Sequence, residues 1–207
     1  MMGKGQKKPL RRDSMNPDPL RQFTSWLQDA EQADLPHANL MTLATSDRQG
    51  KPSARIVLIR GIDERGFVFF TNYRSRKGQD LLENPLAALL FHWPSLSRQV
   101  RVEGRVHMLE AKDSDRYFAN RPRGHQIGAH ASAQSRVIND RISLEEQFRD
   151  TAQSFAGKVV PRPRHWGGYR VVPERVEFWQ EGESRLHDRL CYRRAAGGTW
   201  EIERLAP

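Results

Sequence analysis

The sequence predicts a mainly β protein with peripheral helices, of the α+β class, whose strands close into an antiparallel barrel. Three observations carry this. Apolar and polar residues alternate over short runs, as in NLMTLATSD and RQVRVEGRVHMLE, which is the period of a half-buried strand. Several runs are joined by short turn sequences such as DRQG and ERG, which suit hairpins. Helical patterns are few and do not alternate with the strands, unlike a parallel α/β sheet.

The elements follow in chain order. The first twelve residues, MMGKGQKKPLRR, hold five Lys or Arg and no acid, more than half of the formal charge of +9. Residues 1–16 read as a disordered basic tail and residues 17–207 as a single domain. NPDPLRQFTSWLQDAEQADL reads as a helix, capped by Asp18, with Pro19 in the first position and Leu20, Phe23, Trp26, Leu27 and Ala30 on one side. Three strand patterns follow: NLMTLATSD, PSARIVLIRGID and GFVFFTNY. Residues 75–84 form a short helix capped by Ser75 and ended by Pro85. LAALLFHW and RQVRVEGRVHMLE are two further strands, and a helix covers KDSDRYFANRP. RGHQIGAHASAQS reads as irregular, and Ser143 with Glu146 as a capping box for a helix through Phe155. The chain closes with strands in GYRVVPERVEFWQ, RLHDRLCYRR and TWEIERLAP. Strand alternation in RLHDRLCYRR places Arg185, His187 and Arg189 on one face. Three such groups side by side require an anionic or electron-rich partner.

Composition narrows the function. One cysteine, Cys191, permits no internal disulfide, and no apolar run reaches membrane-span length. The expected setting is the cytoplasm, with no membrane partner. There is no G-x-G-x-x-G, no phosphate-binding G-x-x-x-x-G-K-S/T loop, no H-E-x-x-H and no G-x-S-x-G, and the seven histidines lack metal-ligand spacing. No metal is expected. The high charge lies mostly in the tail without an aromatic RNA-binding signature, so a nucleic-acid partner is not expected either.

What recurs is basic side chains where an anion is needed. Ser75 would cap a helix whose first turn carries Arg76 and Lys77. Cations there oppose the helix dipole unless an anion such as phosphate binds between them. The alternative is two solvated side chains. ARIVLIR places an arginine, Arg55 and Arg60, at each end of an apolar strand, either snorkelling or paired with an anion. Tyr117 and Arg121 are four residues apart and would share a helix face. Gln99 could lie on an inward face, and Trp179 reads as core. Together these supply more phosphate-binding groups than one phosphate needs, but no metal site and no nucleophile–base pair.

The stretches RIVLIR, FFTNYRSRKGQ, SRQVRVEG, YFANRPR, QIGAHAS, WGGYRV, EFWQ, RLHDR and RLAP resemble, in order, the pyridoxine (pyridoxamine) 5′-phosphate oxidase family. The resemblance implies a split β-barrel and a homodimer with FMN at the subunit interface. It implies oxidation of pyridoxine or pyridoxamine 5′-phosphate to pyridoxal 5′-phosphate, with hydride transfer from C4′ to flavin N5 and reoxidation by O2 giving H2O2. The implied FMN set is Arg55, Ile56, Val57, Leu58, Ile59, Arg60, Phe70, Thr71, Arg76, Lys77, Gln99, Gln134, Ser135, Trp179 and Arg189. The implied substrate set is Arg60, Tyr117, Arg121 and His125 around the phosphate, with Arg185 and His187 over the pyridine ring as the catalytic pair.

Three departures fall on the substrate side. Arg60 stands where the family usually has lysine, His125 where a serine is common, and MMGKGQKKPL has no counterpart of the segment that folds over the site in relatives. The alternatives are an FMN oxidase of the same fold acting on another substrate, of the phenazine-biosynthesis type, and a flavin- or haem-binding split barrel that is not an oxidase. Agreement through RPRGHQIGAHAS favours the vitamin B6 reading over the first, and retention of Arg185 and His187 argues against the second.

Overall fold

A computed structural model describes residues 8–33, 35 and 37–207. Among them, nine strands form one antiparallel sheet: β1 (Leu40–Ser46), β2 (Pro52–Leu58), β3 (Gly61–Asp63), β4 (Gly66–Asn72), β5 (Leu86–Trp93), β6 (Arg98–Met108), β7 (Trp166–Gln180), β8 (Asp188–Arg194) and β9 (Trp200–Arg204). Their order is β2-β1-β5-β6-β7-β4-β3, with β8 paired to β7 and β9 to β8. The 15-residue β7 makes this branching possible. Its first half pairs with β4, from Trp166 opposite Asn72 to Val171 opposite Phe67. Its second half, Arg175 to Gln180, pairs with β8. The sheet therefore curls around one core, as the mainly β, helix-flanked prediction requires.

Helix α1 (Pro19–Gln32) packs into the curl. It starts where expected, with the Asp18 carboxylate accepting from the Leu20 N–H at 2.8 Å and Pro19 in the first turn. Its apolar stripe drives the docking: Phe23 lies edge-on to Phe67 and Phe91, with ring centroids 5.0 and 4.5 Å away, and Trp26 meets Phe178 at 5.0 Å. Helices α2 (Arg76–Glu83), α3 (Ala111–Ala119), α4 (Arg123–Ala131) and α5 (Arg141–Ser154) complete the fold. Phe118, Ile127, Val160 and Trp166 form a second, smaller core where α3, α4 and β7 meet.

Several expectations are corrected. The segment 123–131, expected to be irregular, is α4; its apolar and small residues recur at helical spacing and bury Gln126 and Ile127. Helix α5 is capped by Asp140, whose carboxylate accepts from the Ser143 N–H and Oγ, so Ser143 lies inside the first turn and is not the cap. The strand expected over 52–63 breaks at Ile59 and Arg60, where Ile59 N–H turns to the Asn39 carbonyl and Arg60 N–H to that of Val68. The strand expected over 185–194 begins only at Asp188. Before it, Glu183–Arg185 form a 3-10 turn with Ser184 and Arg185 at φ 53 and 63, so Arg185, His187 and Arg189 do not alternate along one strand. Gly182 is needed there, because a Cβ would lie 1.9 Å from the Leu186 carbonyl oxygen.

The disordered tail was expected to run through residue 16. Residues 8–16 instead lie against the sheet: Leu10 and Met15 are buried, and the Leu10 N–H donates to Asp188 at 2.9 Å. Residues 1–7 fall outside the described residues, and with them most of MMGKGQKKPL.

Candidate functional site

A cavity of about 940 Å³ opens between β2, β4, α2, α3, α4 and the segment after α4. Its lining includes the cations Arg55, Arg60, Arg76, Lys77 and Arg121, and no Asp or Glu.

At one pole Ser75 caps α2, accepting from the Gly78 N–H at 3.4 Å. Gly78 lets the helix sit close to the end of β4, since a Cβ would meet the Tyr73 carbonyl oxygen at 2.1 Å. That approach buries Lys77, which is only 9% exposed. Its Nζ donates to Thr71 Oγ1 and Ser75 Oγ at 3.2 Å and to Gln134 Oε1 at 3.1 Å. Burial, with the neighbouring Arg55 charge, pushes the Lys77 ammonium down to about 8. Arg55 donates to Thr45 Oγ1 at 2.7 Å and Ser53 Oγ at 2.6 Å. Behind it stands the buried Asp80, 3.7 Å from its guanidinium and accepting from Thr45 Oγ1 at 2.6 Å. Lys77 is thus not the solvated side chain that a surface helix would carry.

At the other pole Phe70, Tyr117 and Trp166 stack as a ladder, with Phe70 3.8 Å from Tyr117 and 5.6 Å from Trp166. The Arg121 guanidinium lies over Trp166 at 4.5 Å. Helix α3 ends at Ala119, so Arg121 reaches the cavity from beyond it and not from a shared helix face with Tyr117. Its Nη1 is buried without a hydrogen-bond partner. Burial pulls Arg121 below its ordinary pKa, opposed by Tyr117 and reinforced by Arg60. A buried, unpartnered guanidinium nitrogen beside an acid-free cavity fits an anionic ligand.

Most of the implied residues meet here. Arg55, Ile56, Val57, Leu58, Arg60, Phe70, Thr71, Arg76, Lys77, Tyr117, Arg121, His125, Gln134 and Ser135 all line this cavity. Ile59 does not; it is buried in the main core. Strand β2 is the sheet edge, which lets neighbouring residues from both of its faces reach the opening. Also lining it, and missed from sequence, are Gly124, Gly128, Ala129 and Ser132. The small residues at nearly four-residue spacing were the available signal.

Gln99, Trp179, Arg185, His187 and Arg189 do not line the cavity. Gln99, Trp179 and Arg189 stand in one row across β6, β7 and β8. They face away from the main core: the adjacent Val100, Phe178 and Leu190 point into it. Gln99 is therefore not inward, and Trp179 is half-buried on the outer face instead of core. The His187 ring lies 4.8 Å from that of Trp179 and its Nδ1 accepts from the Gly182 N–H at 3.2 Å. Arg185 is exposed in the preceding turn. The residues that the resemblance implies therefore fall into two separate groups on one chain.

The chain thus combines a curled antiparallel sheet with a cavity lined by cations and no acid. Residues 27–155 match the model of pyridoxamine 5′-phosphate oxidase, and residues 166–207 match that of the pyridoxine 5′-phosphate oxidase C-terminal dimerisation region. The chain belongs to the pyridoxamine 5′-phosphate oxidase family, a family of oxidoreductases. It is 58% identical over 191 residues to a pyridoxine/pyridoxamine 5′-phosphate oxidase of Cupriavidus necator, covering 92% of this chain and 90% of the relative. A protein of the same description from Paraburkholderia phymatum is 56% identical over 93% of this chain and 91% of its own length. Among solved structures, PhzG from Burkholderia lata in complex with tetrahydrophenazine-1-carboxylic acid superposes with a TM-score of 0.91 at 31% identity, covering 98% of this chain and all of PhzG. A pyridoxamine 5′-phosphate oxidase-related, FMN-binding protein from Nostoc punctiforme shares the fold, with a TM-score of 0.72 at 19% identity over 93% of this chain and all of that one. No helix among the described residues is long and apolar enough to cross a membrane.

Proposed function

We propose that the protein is an FMN-dependent oxidase that converts pyridoxine or pyridoxamine 5′-phosphate to pyridoxal 5′-phosphate. The observation that carries this is the cavity lined by five cations and no acid, together with relatives of that description at 56–58% identity.

Arg55, Arg76 and Lys77, with Thr71, Gln134 and Ser135, would hold the FMN phosphate at the α2 N-terminus, where helix dipole and cations act together. Arg60, Tyr117, Arg121 and His125 would take the substrate phosphate, which gives Arg121 Nη1 the partner it lacks within the fold. FMN, when bound, would supply the redox chemistry: acceptance of the C4′ hydride at N5 with the substrate's O–H or N–H proton going to solvent, return of two electrons and two protons to O2 as H2O2, and, for the amine substrate, hydrolysis of the oxidised product with release of ammonia. The protein contributes alignment and field. Arg185 and His187 would orient the pyridine ring, and Arg189, with Gln99 and Trp179, would face the flavin.

The two groups of site residues on one chain fit a homodimer in which each cavity is completed by the turn and outer row of the other subunit. The matched C-terminal dimerisation region supports this. The phenazine-type alternative shares the fold, but the 31% identity of PhzG falls well below that of the B6 relatives.

The test is the visible spectrum of the purified protein before and after anaerobic addition of pyridoxine 5′-phosphate. A yellow protein that bleaches and regains colour in air would establish cofactor, substrate and reaction class together. A yellow protein that does not bleach would overturn the substrate assignment.

A further inference from the structure

We propose that Glu177 is a positioning residue that fixes the Arg189 guanidinium at the flavin, an inference that rests on the FMN reading above. Glu177 is 3% exposed, on the outer face of β7 between Arg101 of β6 and Cys191 of β8. Its Oε1 accepts from Arg189 Nε at 2.8 Å, and its Oε2 lies 3.1 Å from Arg101 Nη2. Arg189 Nη1 donates to the Ala206 carbonyl at 2.7 Å, while the Leu205 N–H donates to the Arg189 carbonyl at 2.9 Å. The guanidinium is thus anchored from two directions, by a buried carboxylate and by the C-terminal segment, which leaves Nη2 for a ligand.

Stability alone is a poor reason for this arrangement. Burying a carboxylate and its partners costs desolvation that well-packed apolar residues would avoid. The geometry is also imperfect for a purely structural pair: Glu177 Oε2 and Arg101 Nε lie at ion-pair distance from Arg101 Nη2 and Glu103 Oε1, 3.1 and 3.2 Å, but neither makes an aligned hydrogen bond. What the arrangement does achieve is a single direction for a long, flexible arginine that shares a row with Gln99 and Trp179. A fixed cationic donor is worth more to a bound flavin ring, through a charge-assisted hydrogen bond to the oxidised ring and through charge attraction to the reduced one, than a donor that must be ordered on binding.

The test is a double-mutant cycle read by FMN titration of the apoprotein, using quenching of flavin fluorescence, for wild type, Glu177→Gln, Arg189→Ala and the double variant. If Glu177 acts through Arg189, Glu177→Gln weakens FMN binding about tenfold, as loss of one charge-assisted hydrogen bond would. The double variant then binds no more weakly than Arg189→Ala alone. The visible bands of bound flavin should also move from their wild-type positions in the same sense in both single variants, and no further in the double. Wild-type affinity in Glu177→Gln, or losses that multiply in the double variant, would overturn the proposal.

A Glu177→Gln protein that fails to fold is replaced by a chain ending at Leu205, which removes the other anchor. That truncation should weaken FMN binding in the wild-type background and not in Arg189→Ala; unchanged binding in both overturns the proposal. Wild-type protein that takes up no FMN would sink the flavin reading and this inference with it. FMN uptake by wild type with an unaffected Glu177→Gln sinks this inference alone.

Discussion

Lys77 Nζ lies 3.1 Å from Gln134 Oε1, so the first turn of α2 is tied to the segment that follows α4. The contact joins residues 57 positions apart and closes one pole of the cavity. It also keeps an ammonium in a place where burial pushes its pKa from 10.5 to about 8.

That shift sets a pH dependence. In the folded apoprotein the charged form is disfavoured; the penalty is fully present below about 8 and is relieved as pH rises toward the unfolded value of 10.5. A bound phosphate acts oppositely, holding the proton on Lys77. FMN affinity should therefore be highest below about pH 8 and decline above it. Titrations of apoprotein across this range check it. Lys77→Met should bind FMN more weakly and flatten the decline, whereas an unchanged profile in that variant would remove Lys77 from the phosphate site.

Division of the site between subunits is tested by mixing two inactive proteins. Lys77→Met damages the cavity and Arg185→Ala damages the turn. If each site joins a cavity from one chain to a turn from the other, mixed dimers hold one site with both halves intact. Equal mixing with subunit exchange then restores about a quarter of wild-type activity, by symmetry statistics for a two-fold dimer. No recovery after verified exchange would place both halves of each site on one chain.

Arg121→Ala should separate substrate from cofactor. Its buried Nη1 is unpartnered within the fold, and its side chain lies over Trp166 and away from the α2 pole. Loss of a charged hydrogen-bond donor to the substrate phosphate should raise KM roughly 10- to 100-fold. FMN affinity should stay near wild type. A large loss of FMN with unchanged KM would reverse the assignment of the two poles.

Arg185→Ala should cut turnover far more than flavin retention, since the proposed role is alignment of substrate in an exposed turn. Parallel measurement of kcat and of FMN content decides it. Equal losses would reassign Arg185 to cofactor binding.

Phe23→Ala tests the core. The ring is fully buried against Phe67, Phe91 and Trp93, and its removal should cost about 3–5 kcal/mol of stability. Chemical denaturation of the apoprotein reads this directly. A loss below about 1 kcal/mol would mean that α1 contributes little to closing the curled sheet.

Much of this molecule was written in local sequence. Alternation specified most strands, Asp18 with Pro19 specified the start of α1, and Ser75 specified that of α2, because caps and pleats depend on near neighbours alone. The cations of the cavity were likewise visible as a surplus without acids. Tertiary structure decided the rest. It made 123–131 a helix by burying Ile127 with Val160 and Trp166 and tying Gln126 to the end of α3, and it turned Arg185 out of the strand through the tight passage at Gly182. It buried Lys77 by docking α2 near the segment after α4, and through strand register it placed Glu177 between Arg101 and Arg189. Above all it divided the residues proposed for the site into a cavity group and an outer row. Which face of a sheet a residue occupies follows from its strand, but which strands come together is settled only when the whole chain buries its core.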